Sequence, residues 1–325
     1  MMAGTGGGHR QPSPAARHGW AAERGQRSEE WAVDGDYPVS SGAYRAGSGP
    51  GRGGGEPARP ARARGRLPDP PGPCAYSAPW GRREGARTSV VWTVLREVLA
   101  ERSAGTGRSR LDVVDAGGGT GGFAVPLAAL GHNVTVVDPS PDSLAAAQRR
   151  AAEMNVPLGA IQGEAAGLDG LVGEGAADLV ICHNVLEYVE LPAEAMAAIA
   201  RVLRPAGAVS VLAASAVGAV LHRALAGRFE EARALLGRTA GGAGGPAGGG
   251  TPRRFTLSGL SALIEEAGLH PGAAHGVRVF ADLVPSTMVD AEPGAAAALC
   301  ALEEAAASHP AFRDIAAHLH VLGRR

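Results

Sequence analysis

A glycine-rich turn between a short apolar strand and a helix, strand-like and helix-like segments alternating from residue 111 to residue 214, and a change of composition near residue 86 predict an α/β fold. The expected architecture is a Rossmann-like, doubly wound, mostly parallel sheet with helices on both faces, preceded by a disordered N-terminal segment. Two regions follow: a Gly/Pro/Arg-rich arm over 1–85, and one α/β domain over 86–325 whose part 216–325 brings substrate-side helices, a loop and the last strands.

Each element has a local reason. Residues 1–85 hold no sustained period of 3.6 or 2, so they bury too little apolar surface to offset the entropy of ordering the chain. From Arg87 onward Val90, Val91, Val94, Leu95, Val98 and Leu99 recur at helical spacing, up to Gly105. Residues 111–114 are an apolar run of strand length, and the turn after them leads into a helix over 121–130 that Gly131 stops. Residues 133–138 make a second strand ending on an acid, and Ser140-Pro141 starts a helix over 142–154. A short strand lies near 160–161. Residues 178–184 are too uniformly apolar for a surface strand and suit the middle of a parallel sheet. Residues 192–203 form a helix closed by Arg204-Pro205-Ala206-Gly207, and 208–214 the next strand. Beyond it, 221–236 reads as one broken or two short helices and 241–250 as a flexible glycine loop. Then come a helix over 256–268 with Thr or Ser at its start and Gly at its end, a strand of alternating period over 276–280, a helix over 294–308 and a final strand over 315–322.

Composition excludes several chemistries. All 31 Lys+Arg residues are arginine. With no lysine, a Walker-A phosphate loop and a Schiff-base amine are both ruled out. Three widely spaced cysteines (Cys74, Cys182, Cys300) give neither a metal-ligand spacing nor a disulfide framework, so no metal site is expected. No apolar run reaches the length of a membrane span and none follows a basic start, so neither a span nor a secretory leader is expected, and a cytoplasmic location follows.

The turn Asp115-Ala-Gly-Gly-Gly-Thr-Gly121 carries the chemistry. Gly117, Gly119 and Gly122 fit the dinucleotide fingerprint G-x-G-x-x-G, while Asp115, Gly117, Gly119 and Gly121 fit D-x-G-x-G-x-G, the pattern of S-adenosylmethionine (SAM) enzymes. Asp138, closing the second strand, suits a ribose diol in either case. Asp115 separates them, because it gives a counter-charge to a methionine ammonium and would repel a pyrophosphate. A short-chain dehydrogenase would also need a Tyr-x-x-x-Lys pair, so SAM is preferred over NAD(P). His183, Asn184, Glu187 and Tyr188 follow the central strand and place polar groups on the rim of that site.

These residues resemble the class I SAM-dependent methyltransferases, in the branch of the bacterial tRNA 5-carboxymethoxyuridine methyltransferases. The resemblance runs from about Gly85 to the C-terminus. It rests on Arg87 with Trp92, the glycine turn, Gly131-His132, Asp138, His183 with Val185-Leu-Glu187, Val202-Leu-Arg-Pro205, Glu265-Glu-Ala-Gly268, Gly276-Val-Arg-Val-Phe280 and His320-Val321. The glycine turn marks only the superfamily, and Gly-Val-Arg-Val-Phe is the more specific match. The resemblance implies cofactor contacts at Arg87 (methionine carboxylate), Gly117 and Gly118 (methionine and ribose), Asp138 (ribose), Ala165 and Ala166 (backbone near adenine) and His183.

It also implies a carboxylate acceptor on a tRNA wobble uridine, which needs no general base because it is already ionised. Arg278 is then the candidate for orienting that carboxylate. For a hydroxyl or amine acceptor, His183 or Glu187 is the nearest base. Against tRNA, residues 87–325 hold 19 arginines and 24 acids, a net of −5, although Arg223, Arg228, Arg253, Arg254 and Arg278 can still cluster. DNA or a small-molecule metabolite is the alternative acceptor. An NAD(P)-dependent oxidoreductase and a SAM-binding module without turnover are the readings outside the class.

Overall fold

The computed structural model describes residues 82–239 and 252–325. The expectations for an arm up to residue 81 and for the glycine tract at 241–250 lie outside them. Seven strands, β1 (Asp112–Ala116), β2 (Asn133–Asp138), β3 (Gly159–Gln162), β4 (Ala177–His183), β5 (Leu203–Ala214), β6 (His270–Val277) and β7 (His318–Arg324), form one sheet in the order β3-β2-β1-β4-β5-β7-β6. The first five are parallel, and β7 runs antiparallel between β5 and β6. The strand order reverses between β1 and β4, the place where a doubly wound sheet opens a crevice at its carboxyl edge.

The uniform apolarity of β4 follows from its position. Val180 and Cys182 pack on one face of the sheet with Met196 and Ile199 of α5 (Pro192–Val202) and with Leu260 and Ile264 of α8 (Leu257–Glu266). Leu179 and Ile181 pack on the other with Val91 and Leu95 of α1 (Arg82–Thr106) and Leu127 of α2 (Ala124–Ala129). Neighbouring residues of a strand point to opposite faces, so a strand covered on both sides has no polar position to spare. α3 (Pro141–Glu153) starts where Ser140 Oγ accepts the Ser143 N–H at 3.2 Å.

At the amino ends of the strands, buried Asp178 accepts the Asp112 N–H at 3.0 Å, Arg102 at 3.0 Å and Arg204 at 2.8 Å, and Arg108 as well. Burial pushes its carboxyl up, but the Asp112 amide and the guanidiniums of Arg108 and Arg102 outweigh it and hold it below the usual range. This network fixes the end of the sheet remote from the crevice.

The helices α4 (Leu168–Val172), α6 (Ala216–Leu225), α7 (Phe229–Thr239), α9 (Ser286–Ala291), α10 (Ala295–Ala307) and α11 (Pro310–Ile315) complete the described elements. The pair α6 and α7 bears out the expectation of two short helices there. α4, α9 and α11 are too short to leave a periodic signal.

Four expectations are corrected. The first helix begins at Arg82, so the arm expected over 1–85 does not reach residue 85. The strand expected over 276–280 is instead the end of β6, which stops at Val277 because Arg278 takes φ +61 and the next three amides turn away. Val279, Phe280 and Ala281 donate to the buried Glu303 carboxylate of α10 at 2.9, 2.8 and 2.7 Å. The last strand begins at His318, not 315, since Pro310 opens α11 ahead of it. Cys182 is a free buried thiol, whereas Cys300 is disulfide-bonded, against the expectation of no disulfide framework.

Among the described residues no helix is long and apolar enough to cross a membrane, and no group of three or more His, Cys, Asp or Glu is placed to hold a metal ion.

Candidate functional site

The site grows from the carboxyl end of β1. The chain leaves Ala116 through Gly117, whose φ is +73 and whose N–H donates to Val137 O of β2 at 2.7 Å. A Cβ at Gly117 would strike the Val185 side chain, and one at Gly118 would lie 2.6 Å from Asp115 Cγ and Oδ2. Only glycine lets the backbone pass over the Asp115 carboxyl so closely. Gly119 donates to Asp138 Oδ2 at 2.9 Å, and Gly121 closes the turn on Gly118 O at 2.9 Å. The turn is thus tied to the ends of both β1 and β2.

Two acids sit under it. Asp115 is 3% exposed, and burial, followed by the Asp138 charge, pushes its carboxyl up to about 7 although the Ala124 N–H offsets part of this. A cation above the turn would relieve that cost. Asp138 uses Oδ2 on Gly119 and Oδ1 on the Ser140 N–H at 2.9 Å, so it braces the turn and still has lone pairs for further donors. Ala165 and Ala166 lie in a single 3-10 turn after β3, beside Gly163, which donates to Asp138 O at 3.2 Å. Small residues there leave the edge of β2 and β3 open.

His183 ends β4 on the other side of the turn. Its ring meets Phe123 edge-on with centroids 4.7 Å apart, and Phe123 in turn lies 5.1 Å from Trp92. Burial pushes the imidazole down to about 3, so it is a neutral ring and a weak base. Its Nε2 lies 2.8 Å from Ser210 Oγ, and its Nδ1 has no partner. Four residues on, Glu187 is buried, accepts the Ala214 N–H at 2.6 Å through Oε1 and leaves Oε2 without a partner. Burial raises its pKa, with the Ala214 amide and then the Arg254 charge acting against this.

Arg87 and Arg278 come from opposite ends of the domain sequence and share one acid. Arg87 pairs with Asp282 at 2.7 Å, and Arg278 approaches the same carboxylate at 3.8 Å. Arg278 directly follows β6, where Val277 is paired with His318, the first residue of β7, and His318 is paired with Ala214 at the end of β5. Arg278 is therefore on the same carboxyl edge as His183 and the glycine turn, at the far side of the crevice from Asp138.

Sequence reasoning placed the turn, the two acids and His183, and it missed Phe123, Ser210 and Glu303. Ser210 left one signal, as a polar residue inside an otherwise apolar strand. Glu303 left none, because a helical glutamate reads as a surface residue.

Comparison with known proteins bears on this geometry. A family model described as a methyltransferase domain matches residues 114–211, which span β1 to β5. The tRNA 5-carboxymethoxyuridine methyltransferase of Escherichia coli strain K12 is 32% identical over 202 residues, 60% of this chain and 72% of that protein. The ubiquinone biosynthesis O-methyltransferase of Rickettsia akari is 37% identical over 81 residues, 25% of this chain and 31% of the relative. Among solved structures, magnesium protoporphyrin IX methyltransferase of Synechocystis PCC 6803 with bound S-adenosylhomocysteine is 17% identical, covers 74% of this chain and 85% of its own, and superposes with a TM-score of 0.45.

Proposed function

The chain belongs to the SAM-dependent methyltransferases, with SAM as cofactor, and from that premise we propose that its acceptor is the carboxylate of a modified uridine at the wobble position of tRNA. The observation that carries this reading is the placement of Arg278 on the carboxyl edge of the sheet, with Arg254 near the same buried His318. His318 is pushed down to about 4, first by burial and then by the Arg278 charge, with Asp282 acting against this and Arg254 and His222 adding to it. Arg254 itself is lowered by burial and then by Arg223, with Glu187 and Tyr188 acting against this. Cations that repel one another in a half-buried setting favour an anionic guest. The tRNA relative supplies the identity of that anion.

The residues fit the cofactor. Burial raises the Asp115 pKa to about 7, and a methionine ammonium would hold it as the carboxylate. Gly117 and Gly118 give the backbone approach, Asp138 receives the ribose hydroxyls, Ala165 and Ala166 lie against the adenine, and Arg87 takes the methionine carboxylate. The sulfonium supplies the activated methyl group, so the protein contributes alignment and exclusion of water. A carboxylate acceptor is ionised at neutral pH and needs no base, in keeping with a His183 ring too weakly basic to act as one. Arg278, with Arg254, orients the acceptor by charge-assisted hydrogen bonds.

The net charge of −5 over residues 87–325 favours a second reading, a small carboxylic acid metabolite in the same pocket. Tritiated methyl transfer to tRNA, DNA and small-molecule fractions decides. Base-labile label in tRNA, lost in Arg278→Ala while S-adenosylhomocysteine still binds, is the expected result. Label confined to another fraction overturns the tRNA acceptor and keeps the enzyme class.

A further inference from the structure

Behind the His183 ring a polar track crosses the sheet. The Ser210 hydroxyl lies 2.8 Å from His183 Nε2 and 2.8 Å from His320 Nε2, and His320 Nδ1 lies 3.5 Å from His275 Nδ1. Strands β4, β5, β7 and β6 contribute one residue each. Ser210 and His320 are fully buried in a sheet that is otherwise apolar at this depth. Such groups cost desolvation that apolar residues of similar volume would avoid, so packing alone gives no reason for them. Burial lowers all three imidazoles, and the charges of His183 and His275 lower His320 further, so the track runs through neutral rings.

A hydroxyl has one proton and two lone pairs, so with its proton kept inside the track Ser210 accepts from one histidine and donates to the other. Only two polarities are open. Run from His275 toward His183, the track would put the His183 proton on Nδ1, the ring atom without a partner, and strand a buried donor. Run the other way, it leaves a lone pair there. A buried orphan acceptor is the smaller cost, and a lone pair is the better neighbour for a sulfonium.

We propose that Ser210 and His320 are positioning residues that lock His183 as the Nε2–H tautomer, so that Nδ1 offers an acceptor lone pair to the cofactor. The proposal rests on the placement of His183 at the cofactor site given above.

Long-range proton–nitrogen spectra of the full-length protein with 15N-labelled histidine test it, the His183 signal being identified by its loss in His183→Asn. The expected result is a neutral ring with its proton on Nε2, and a proton on Nδ1 or a fast mixture overturns the proposal without any variant. Ser210→Ala should give a tautomer mixture and weaken S-adenosylhomocysteine binding about tenfold, with Ser210→Thr restoring both. An unchanged His183 signal and affinity in Ser210→Ala overturns the relay. If Ser210→Ala does not fold, His320→Gln makes the same comparison. Should the tautomer be as stated while His183→Asn binds S-adenosylhomocysteine normally, the relay stands and the cofactor role of His183 falls.

Discussion

Asp115 is an acid that the fold keeps from water. Its folded pKa of about 7 lies above the ordinary 3.8, so the native chain binds a proton that the unfolded chain has released. This group therefore makes the fold lose stability as pH rises from about 4 to about 7, and the loss is absent in Asp115→Asn. In the proposed cofactor site a methionine ammonium would reverse the preference, so that cofactor binding would release a proton. Calorimetric titration of S-adenosylhomocysteine at pH 6 in two buffers of different ionisation enthalpy should show that release in the wild-type chain and none in Asp115→Asn; equal heats in both chains would refute the role. Gly118 tests the same spot by sterics. A methyl group 2.6 Å from the Asp115 carboxyl must push the turn or the acid aside, so Gly118→Ala should cost about 2 kcal/mol of stability and at least a tenfold loss of S-adenosylhomocysteine affinity. Both residues were legible in the sequence because the cofactor turn is a local feature, complete within seven consecutive residues. The partners of His183 were not, since strand pairing brings in Ser210 from 27 positions away and then His320 from 110 positions beyond Ser210.

The segment after β6 shows how a side chain far along the sequence decides an element. Val277, Val279 and Phe280 alternate with Gly276 and Arg278 as a strand would, and period alone predicts one. Glu303 overrides the period by taking three successive amides, which bends the chain so that Arg278 turns toward Asp282 instead of continuing beside β7. Removing that carboxylate strands three buried or half-buried donors, so Glu303→Ala should cost about 3 kcal/mol or more in urea denaturation. The sharper expectation concerns function: because Arg278 is positioned by this bend and the glycine turn is not, methyl transfer should fall much further than S-adenosylhomocysteine affinity. Parallel losses of the two would mean that Glu303 supports the domain as a whole. The parallel strands and the helices α3, α5 and α8 were legible because each carries its own period, cap or stop, whereas α9 and α11 carry too few turns for any of these.

At the scale of the molecule, the two edges of the sheet are charged differently in kind. The amino edge neutralises its charges internally, with Asp178 and Asp112 set against Arg102, Arg108 and Arg204. The carboxyl edge gathers Arg223, Arg254 and Arg278 around the buried, neutral His318, with Glu231, Glu187 and Asp282 set among them. A domain with a net charge of −5 over residues 87–325 thus offers only these few arginines to the proposed anionic acceptor. Such a surface would grip an RNA loop at the modified base and repel the flanking helix, unlike a protein that tracks the duplex with a basic stripe. Anisotropy titrations with an anticodon stem-loop should then give a shallow dependence on salt, a slope of about −2 in log K against log concentration, as expected for about three phosphates on a single strand. Arg254→Ala should flatten that slope by roughly one phosphate, while Arg102→Ala, at the opposite edge, should leave it unchanged. A slope near −6 would require a basic footprint larger than this crevice and would place the RNA contact elsewhere on the chain.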